Sequence, residues 1–225
     1  MIDELIVAKN LTKIYHRGSE DIYALKNASF AITEGEFAAI VGPSGSGKTT
    51  LLNLLGCLDT PTRGSLRLNG REISGLKEHA LVRLRRENIG FVFQQFLLLP
   101  TLTVRENIAL PLLFSKKNGG NGKVDEVIRL IGLDARAEHL PNQLSGGEMQ
   151  RVAIGRALIT NPRIILADEP TGNLDSVTAR AIFDLFQDLN GQGLTLLVVT
   201  HNVELAKMAH KIICLADGEI VQPKS

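Results

Sequence analysis

No run in this 225-residue chain reaches the 18 or more apolar residues of a membrane-spanning helix, so no such span is expected. An excess of one charge is missing too: 25 basic residues stand against 24 acidic ones, a formal net charge of +1. That balance gives no global attraction to nucleic acid or to an anionic membrane surface, and no nucleic-acid partner is expected. Cysteine is reduced to Cys57 and Cys214. Both lie in apolar runs without metal-type spacing, so buried free thiols in a reducing compartment are expected in place of a disulfide. The opening residues, Met1-Ile-Asp-Glu-Leu5, put acids where a secretory leader carries bases, and no long apolar segment follows, so the chain is expected to stay in the cytosol. No solenoid-length repeat and no heptad run is visible.

What is present is a 44% hydrophobic composition, enough for a sizeable core, and one run that carries chemistry. Gly42, Pro43, Ser44, Gly45, Ser46, Gly47, Lys48 and Thr49 match G-x-x-x-x-G-K-[ST], with Thr50 following. The apolar run Phe37 to Val41 suits a buried strand, and Thr50 to Leu58 carries leucines at helical spacing. Strand, glycine loop and helix arrive in the order that a phosphate-binding loop requires. The glycines let successive N–H groups turn inward around phosphate oxygens at a helix N-terminus. Lys48 then reaches the β- and γ-phosphates and the Thr49 hydroxyl is placed to ligate Mg²⁺. A glycine turn with a solvated lysine is the plainer alternative, and the strand and helix on either side argue against it.

The rest of the chain alternates. Short strands are expected at Leu5 to Ala8, Ala28 to Ile32 and Gly64 to Gly70, and an amphipathic helix at Leu76 to Glu87 with a solvated basic face. Ile89 to Phe93 reads as a strand, and Leu97 to Phe114, broken by Pro100 and Pro111, as short helices. Ser115 to Gly122 reads as a polar loop before a helical pattern over Val124 to Gly132. From Val152 onward, helices at 152–160, 177–190 and 203–209 alternate with strands at 164–167, 194–200 and 212–215, which implies a parallel sheet covered by helices. A single domain over residues 1–225 is expected, with a mainly helical segment from about Phe96 to Arg151 inserted in the α/β core.

Two further motifs accompany the loop. The apolar run Ile164 to Ala167 ends in Asp168 and Glu169, the first placed to help hold Mg²⁺ at a strand's C-terminal end and the second to act on a water. Leu144-Ser-Gly-Gly-Glu-Met-Gln-Arg151 taken alone is a serine-glycine turn with a capping acid. In order along the chain stand the phosphate loop, Gln94, Leu144 to Gln150, Asp168-Glu169, Asn173-Leu-Asp175 and His201. With these the chain resembles, over essentially its full length, the nucleotide-binding subunit of an ATP-binding cassette (ABC) transporter.

The resemblance implies an α/β fold: a P-loop NTPase (RecA-like) core with an antiparallel β subdomain and an inserted helical subdomain. It implies ATP and Mg²⁺ as ligands, a membrane permease subunit as partner, and a homodimer when ATP is bound. It places the chain peripherally on the cytoplasmic face of the inner membrane. Gln94 then corresponds to the glutamine that approaches Mg²⁺ and the attacking water. Ser145, Gly146, Gly147 and Glu148 correspond to the signature that contacts the γ-phosphate on the opposite subunit. Asp175 lies in the loop that communicates across the dimer, and His201 corresponds to the switch histidine beside the γ-phosphate. Tyr15 corresponds to the aromatic that stacks on adenine, although Tyr23 is the other tyrosine of the chain and competes for that role.

Ala167 to Asp175, Phe91 to Phe96 and Leu99 to Asn107 are similar to the branch of the family that contains MacB, LolD and FtsE. Export, lipoprotein release or transmembrane mechanical work is the implied task. Two positions depart from the family pattern. Met149 replaces a polar residue, and Gly155 replaces an alanine inside a helix, where glycine costs about 1 kcal/mol. The competing readings are a soluble ABC ATPase not coupled to transport and a P-loop kinase acting on a small molecule.

Overall fold

The computed structural model describes residues 4–114 and 121–222. Two sheets organise the chain. The first is antiparallel, in the order β2 (Glu20–Thr33), β1 (Glu4–Arg17), β4 (Arg63–Leu68), β5 (Arg71–Glu72). The strands expected at Leu5 to Ala8 and Ala28 to Ile32 are thus one end each, paired with one another, of two 14-residue strands. Their other ends, richer in charge, escape a reading based on apolar runs.

The second sheet has the order β10 (Glu219–Val221), β9 (Lys211–Ala216), β3 (Phe37–Val41), β8 (Thr195–Val199), β7 (Ile164–Asp168), β6 (Ile89–Phe93). All its pairings are parallel except that of β10 with β9. The strands of its interior alternate between two apolar cores. Ala38, Ile40, Ile164, Leu166, Leu197 and Val199 face one core, shared with α1 (Lys48–Leu55), α2 (Glu78–Asn88) and the antiparallel sheet. Phe37, Ile165, Ala167, Leu196 and Val198 face the other. That second core is closed by α3 (Val104–Ala109), α4 (Asn121–Leu130), α5 (Gly146–Leu158) and α6 (Ser176–Gly191). A strand covered on both sides has no polar face to show, which is why these strands read as continuous apolar runs. A last helix, α7 (Val203–Ala206), follows β8.

Several boundaries differ from the sequence reading. The first helix starts at Lys48, not Thr50, and α5 starts at Gly146, not Val152, because polar first turns carry no apolar periodicity. Residues 115–120 of the expected polar loop lie outside the described residues, and Asn121 and Gly122 belong to α4. The hairpin strand β10 was not expected; it is three residues long. The basic face of α2 is only partly solvated, since Arg85 donates to the Cys57 carbonyl and Arg86 to that of Phe114. Cys57 is buried, while Cys214 is only half-buried, and both are free.

The helical segment is pinned by polar groups as well as by its core. The buried Asn107 amide donates to the carbonyls of Leu99, Leu102 and Thr103 and accepts from the Leu99 N–H, fixing the loop between β6 and α3. Thr103 caps α3, its hydroxyl accepting from the Glu106 N–H while Glu106 returns a bond to the Thr103 N–H.

Candidate functional site

The site forms where β3 hands the chain to α1. Gly47 caps the helix at φ 100°, a left-handed geometry that glycine adopts without cost, and no side chain caps the helix. The N–H groups of the first turn, at Lys48, Thr49 and Thr50, therefore have no acceptor within the helix, and the positive end of the helix dipole sits with them. Lys48 Nζ folds back over the loop, donating to the carbonyls of Gly42 at 2.9 Å and Pro43 at 2.8 Å. Ser46 Oγ is buried and has no partner. Orphan donors, an ammonium and a glycine cradle together suit a polyphosphate.

A cavity of about 400 Å³ opens over this loop. Ser44, Gly45, Gly47, Lys48, Thr49 and Thr50 line one side, Ile22, Tyr23 and Ala24 another, and Asp168 and Glu169 the third. The acids come from the C-terminal end of β7, which lies one strand away from β3 across β8. Strand order alone brings loop and acids together, at the end of a parallel sheet where such folds bind ligands.

The two carboxylates differ. Burial raises the pKa of Asp168, and the negative charge of Glu169 raises it further, with Lys48 opposing both. A cation beside Asp168 would relieve that penalty. Thr49, which borders the same cavity, and Asp168 offer hard oxygen donors of the kind that Mg²⁺ takes. Among the described residues no cluster of three or more His, Cys, Asp or Glu could hold a metal by itself. Glu169 has φ 45°, a left-handed conformation rare for a residue with a long side chain. Its N–H donates to the Val199 carbonyl at 2.9 Å and its carbonyl accepts from the Gly172 N–H at 3.0 Å. Glu169 Oε2 lies 2.9 Å from His201 Nδ1 and accepts from the His201 N–H at 3.3 Å. A carboxylate only accepts, so Nδ1 carries the proton in this pair, and the rest of the His201 side chain is largely exposed.

Other sequence-predicted residues stand apart. Gln94, just beyond β6, does not line the cavity; its Nε2 donates to Asn173 Oδ1 at 3.1 Å, and Asn173 Nδ2 donates to the Gln94 carbonyl at 3.1 Å. Ser145, Gly146, Gly147 and Glu148 are likewise absent from its lining. They form the start of α5, where the Ser145 hydroxyl accepts from the Glu148 N–H and donates to the Glu148 carboxylate. Arg136 holds that carboxylate from outside at 3.2 Å. The capping reading of this stretch is therefore correct as local structure. Asp175 caps α6 by accepting from the N–H groups of Val177 and Thr178. Of the two tyrosines, Tyr23 lines the cavity, while Tyr15 pairs in register with Ile22, another lining residue. Tyr15 also meets the Thr50 side chain at the start of α1.

The ABC transporter family profile matches residues 25–172, which hold the loop and both acids. This chain belongs to the ABC transporter family. It is 50% identical over 223 residues to the ABC transporter ATP-binding protein MJ0796 of Methanocaldococcus jannaschii, covering 96% of this chain and 95% of that one. It is 48% identical over 216 residues to the macrolide export ATP-binding/permease protein MacB of Bdellovibrio bacteriovorus, covering 96% of this cassette and 33% of that longer protein. The dimeric structure of MJ0796 bound to ADP and Pi superposes with a TM-score of 0.87 at 48% identity, over 96% of this cassette and 97% of that chain. The architecture is that of an ABC ATPase cassette, of the branch that includes MacB.

Lys13 and Asp59 escaped the sequence reading, and so did the contact between Gln94 and Asn173, although both of these residues stand in its motifs. Asn173 holds Gln94, and Lys13 and Asp59 surround Tyr15. Gln94 and Asn173 lie 79 residues apart and Tyr15 and Asp59 44 apart, so no local pattern links them, and Lys13, two residues before Tyr15, shows its role only once Asp59 is in place.

Proposed function

We propose that this chain is the ATP-binding and ATP-hydrolysing subunit of an ABC transporter, driving a separate membrane permease from the cytoplasmic face of the membrane. The observation that carries the reading is one cavity bordered by an orphan-donor helix start and Lys48 on one side and by Asp168 and Glu169 on the other, with His201 bonded to Glu169. Residues 1–225 act as one cassette, with the segment from about 96 to 151 as its helical insert.

Transfer of a phosphoryl group to water needs positioning and charge neutralisation more than covalent help. Lys48 and the loop N–H groups hold the β- and γ-phosphates. Thr49 and Asp168, with Gln94 as a further ligand, would hold Mg²⁺, which would add to the neutralisation of phosphate charge. Glu169 polarises the attacking water, and His201, oriented by its bond to Glu169, keeps water and γ-phosphate in line. Tyr15 stacks on the adenine base. Ser145, Gly146, Gly147 and Glu148 serve the γ-phosphate bound by a second copy, so a working site needs two chains. ATP favours the closed pair by its differential affinity, and hydrolysis removes the bias, which is how the permease is moved.

Export or lipoprotein release of the MacB and LolD kind is the work that the cassette supports. The test is to capture the Glu169→Gln protein with ATP and Mg²⁺ from detergent-solubilised membranes of the source cells. ATP binding is expected to persist while hydrolysis falls at least about 100-fold, and a multi-span permease is expected to co-purify in stoichiometric amount. Recovery of only soluble or ribosomal partners would replace the transporter reading with that of a soluble ABC ATPase.

A further inference from the structure

Beside the cavity, the ring of Tyr15 is held from several directions. Its hydroxyl donates to Asp59 Oδ2 at 3.0 Å. Lys13 Nζ sits over the ring, 5.0 Å from its centroid, and also donates to Asp59 Oδ1 and, at 2.9 Å, to the Thr60 carbonyl. Asp59 Oδ1 accepts from the Thr60 N–H at 2.7 Å as well. The cluster joins β1 to the loop that leaves α1, the helix whose first turn forms the phosphate cradle. Lys13 is 13% and Asp59 29% exposed at the side chain, so this is a semi-buried polar knot and not a solvated surface pair.

From this geometry we infer that Lys13 and Asp59 are positioning residues: they fix the Tyr15 ring as a preformed platform for the adenine base and so set how much the base adds to nucleotide affinity. The inference rests on the reading of Tyr15 as the stacking aromatic. An ammonium over one face of the ring leaves the opposite face for a base, and the tethered hydroxyl stops the ring from turning away. A platform ordered in advance spares the binding step the entropy of ordering it. The electrostatic surroundings agree. Burial raises the Tyr15 pKa, and the hydrogen bond and charge of Asp59 raise it further against a smaller opposing contact with Thr50, so the phenol stays a donor. Burial alone raises the Asp59 pKa, but the bonds from Lys13, the Thr60 N–H and Tyr15 outweigh it and leave the group lowered, so the carboxylate stays charged.

The test compares ATP with inorganic tripolyphosphate, which carries the phosphates and no base. Both are titrated calorimetrically with Mg²⁺ into the full chain carrying Glu169→Gln, alone and with Tyr15→Phe, Asp59→Ala or Tyr15→Leu. Tyr15→Phe keeps the ring and removes only the tether. It is expected to weaken ATP about 3- to 10-fold and to leave tripolyphosphate affinity where it was. Asp59→Ala, which also releases Lys13 and the Thr60 N–H, is expected to weaken ATP at least as much, and Tyr15→Phe added to it should cost nothing more, since the Tyr15–Asp59 bond is already gone. Unchanged ATP affinity in Tyr15→Phe and Asp59→Ala overturns the inference, as does equal weakening of ATP and tripolyphosphate, the mark of a merely structural role. If Tyr15→Leu also leaves the advantage of ATP over tripolyphosphate intact, the stacking reading fails and the inference with it.

Discussion

At the scale of single residues, the site is made of groups held in states that the fold penalises. The left-handed backbone at Glu169 costs on the order of 1–3 kcal/mol, and the hydrogen bonds to Val199 and from Gly172 keep it there. The consequence is a carboxylate aimed at His201. Asp168 shows the same tension electrostatically: burial, then the charge of Glu169, raise its pKa. An acid whose folded pKa lies above its unfolded value weakens the fold once it ionises, and the fold regains stability as the pH drops through that interval. Asp168→Asn is therefore expected to melt at a higher temperature than the parent at pH 7 without nucleotide, while losing Mg²⁺-dependent ATPase activity. Thermal melts beside a phosphate-release assay check both, and a lower melting temperature would refute the penalty. The identities of Asp168 and Glu169 were legible in sequence; their unequal environments were not, because burial and the approach of Lys48 depend on β3, β7 and α1 meeting.

Helices and strands carry these residues to their places, and here the sequence spoke most clearly where both faces of a strand are buried. Phe37 to Val41 and Ile89 to Phe93 have the bounds that their apolar runs indicate. The start of α5 was harder, because its first turn, Gly146 to Met149, opens on two glycines and a glutamate that carry no apolar periodicity, and its length shows only through the Ser145 cap. The departure at Gly155 also finds its reason in packing. A Cβ there would come within 2.8 Å of Ile131 Cδ1 and 3.2 Å of both Ile108 Cδ1 and Val127 Cγ1, so glycine makes room for these side chains against α5. Met149 packs partly buried against the same core. Where α5 crosses β6 the approach is tighter. A Cβ on Gly90 would lie 2.7 Å from the Ala157 carbonyl, which is backbone and cannot swing aside. Gly90→Ala should destabilise the chain by about 1–3 kcal/mol, the usual cost of overpacking. Urea unfolding measures it, and a loss below the scatter of that method would show that α5 can shift.

For the molecule as a whole, the decisive fact is that one copy brings the phosphate loop, Asp168 and Glu169 to one cavity and leaves Ser145 to Glu148 out of it. With Glu169→Gln to block hydrolysis, sedimentation is expected to show one chain without nucleotide and two with ATP. Adding Ser145→Arg should abolish the pairing and spare ATP binding; pairing that survives it would remove the signature from the interface. By itself the sequence determined the class of fold, the phosphate loop and the acid pair, because strand burial and backbone geometry act over a few residues and leave periodic or glycine-marked traces. Only the tertiary structure decided how those pieces act together. The order β3-β8-β7 brings Asp168 and Glu169 beside Lys48, the register of β1 with β2 sets Tyr15 beside the cavity, and the return of the chain after α1 places Asp59 under it. Such contacts join residues far apart in the chain, and their geometry follows from the packing of whole elements, which no short stretch of sequence encodes.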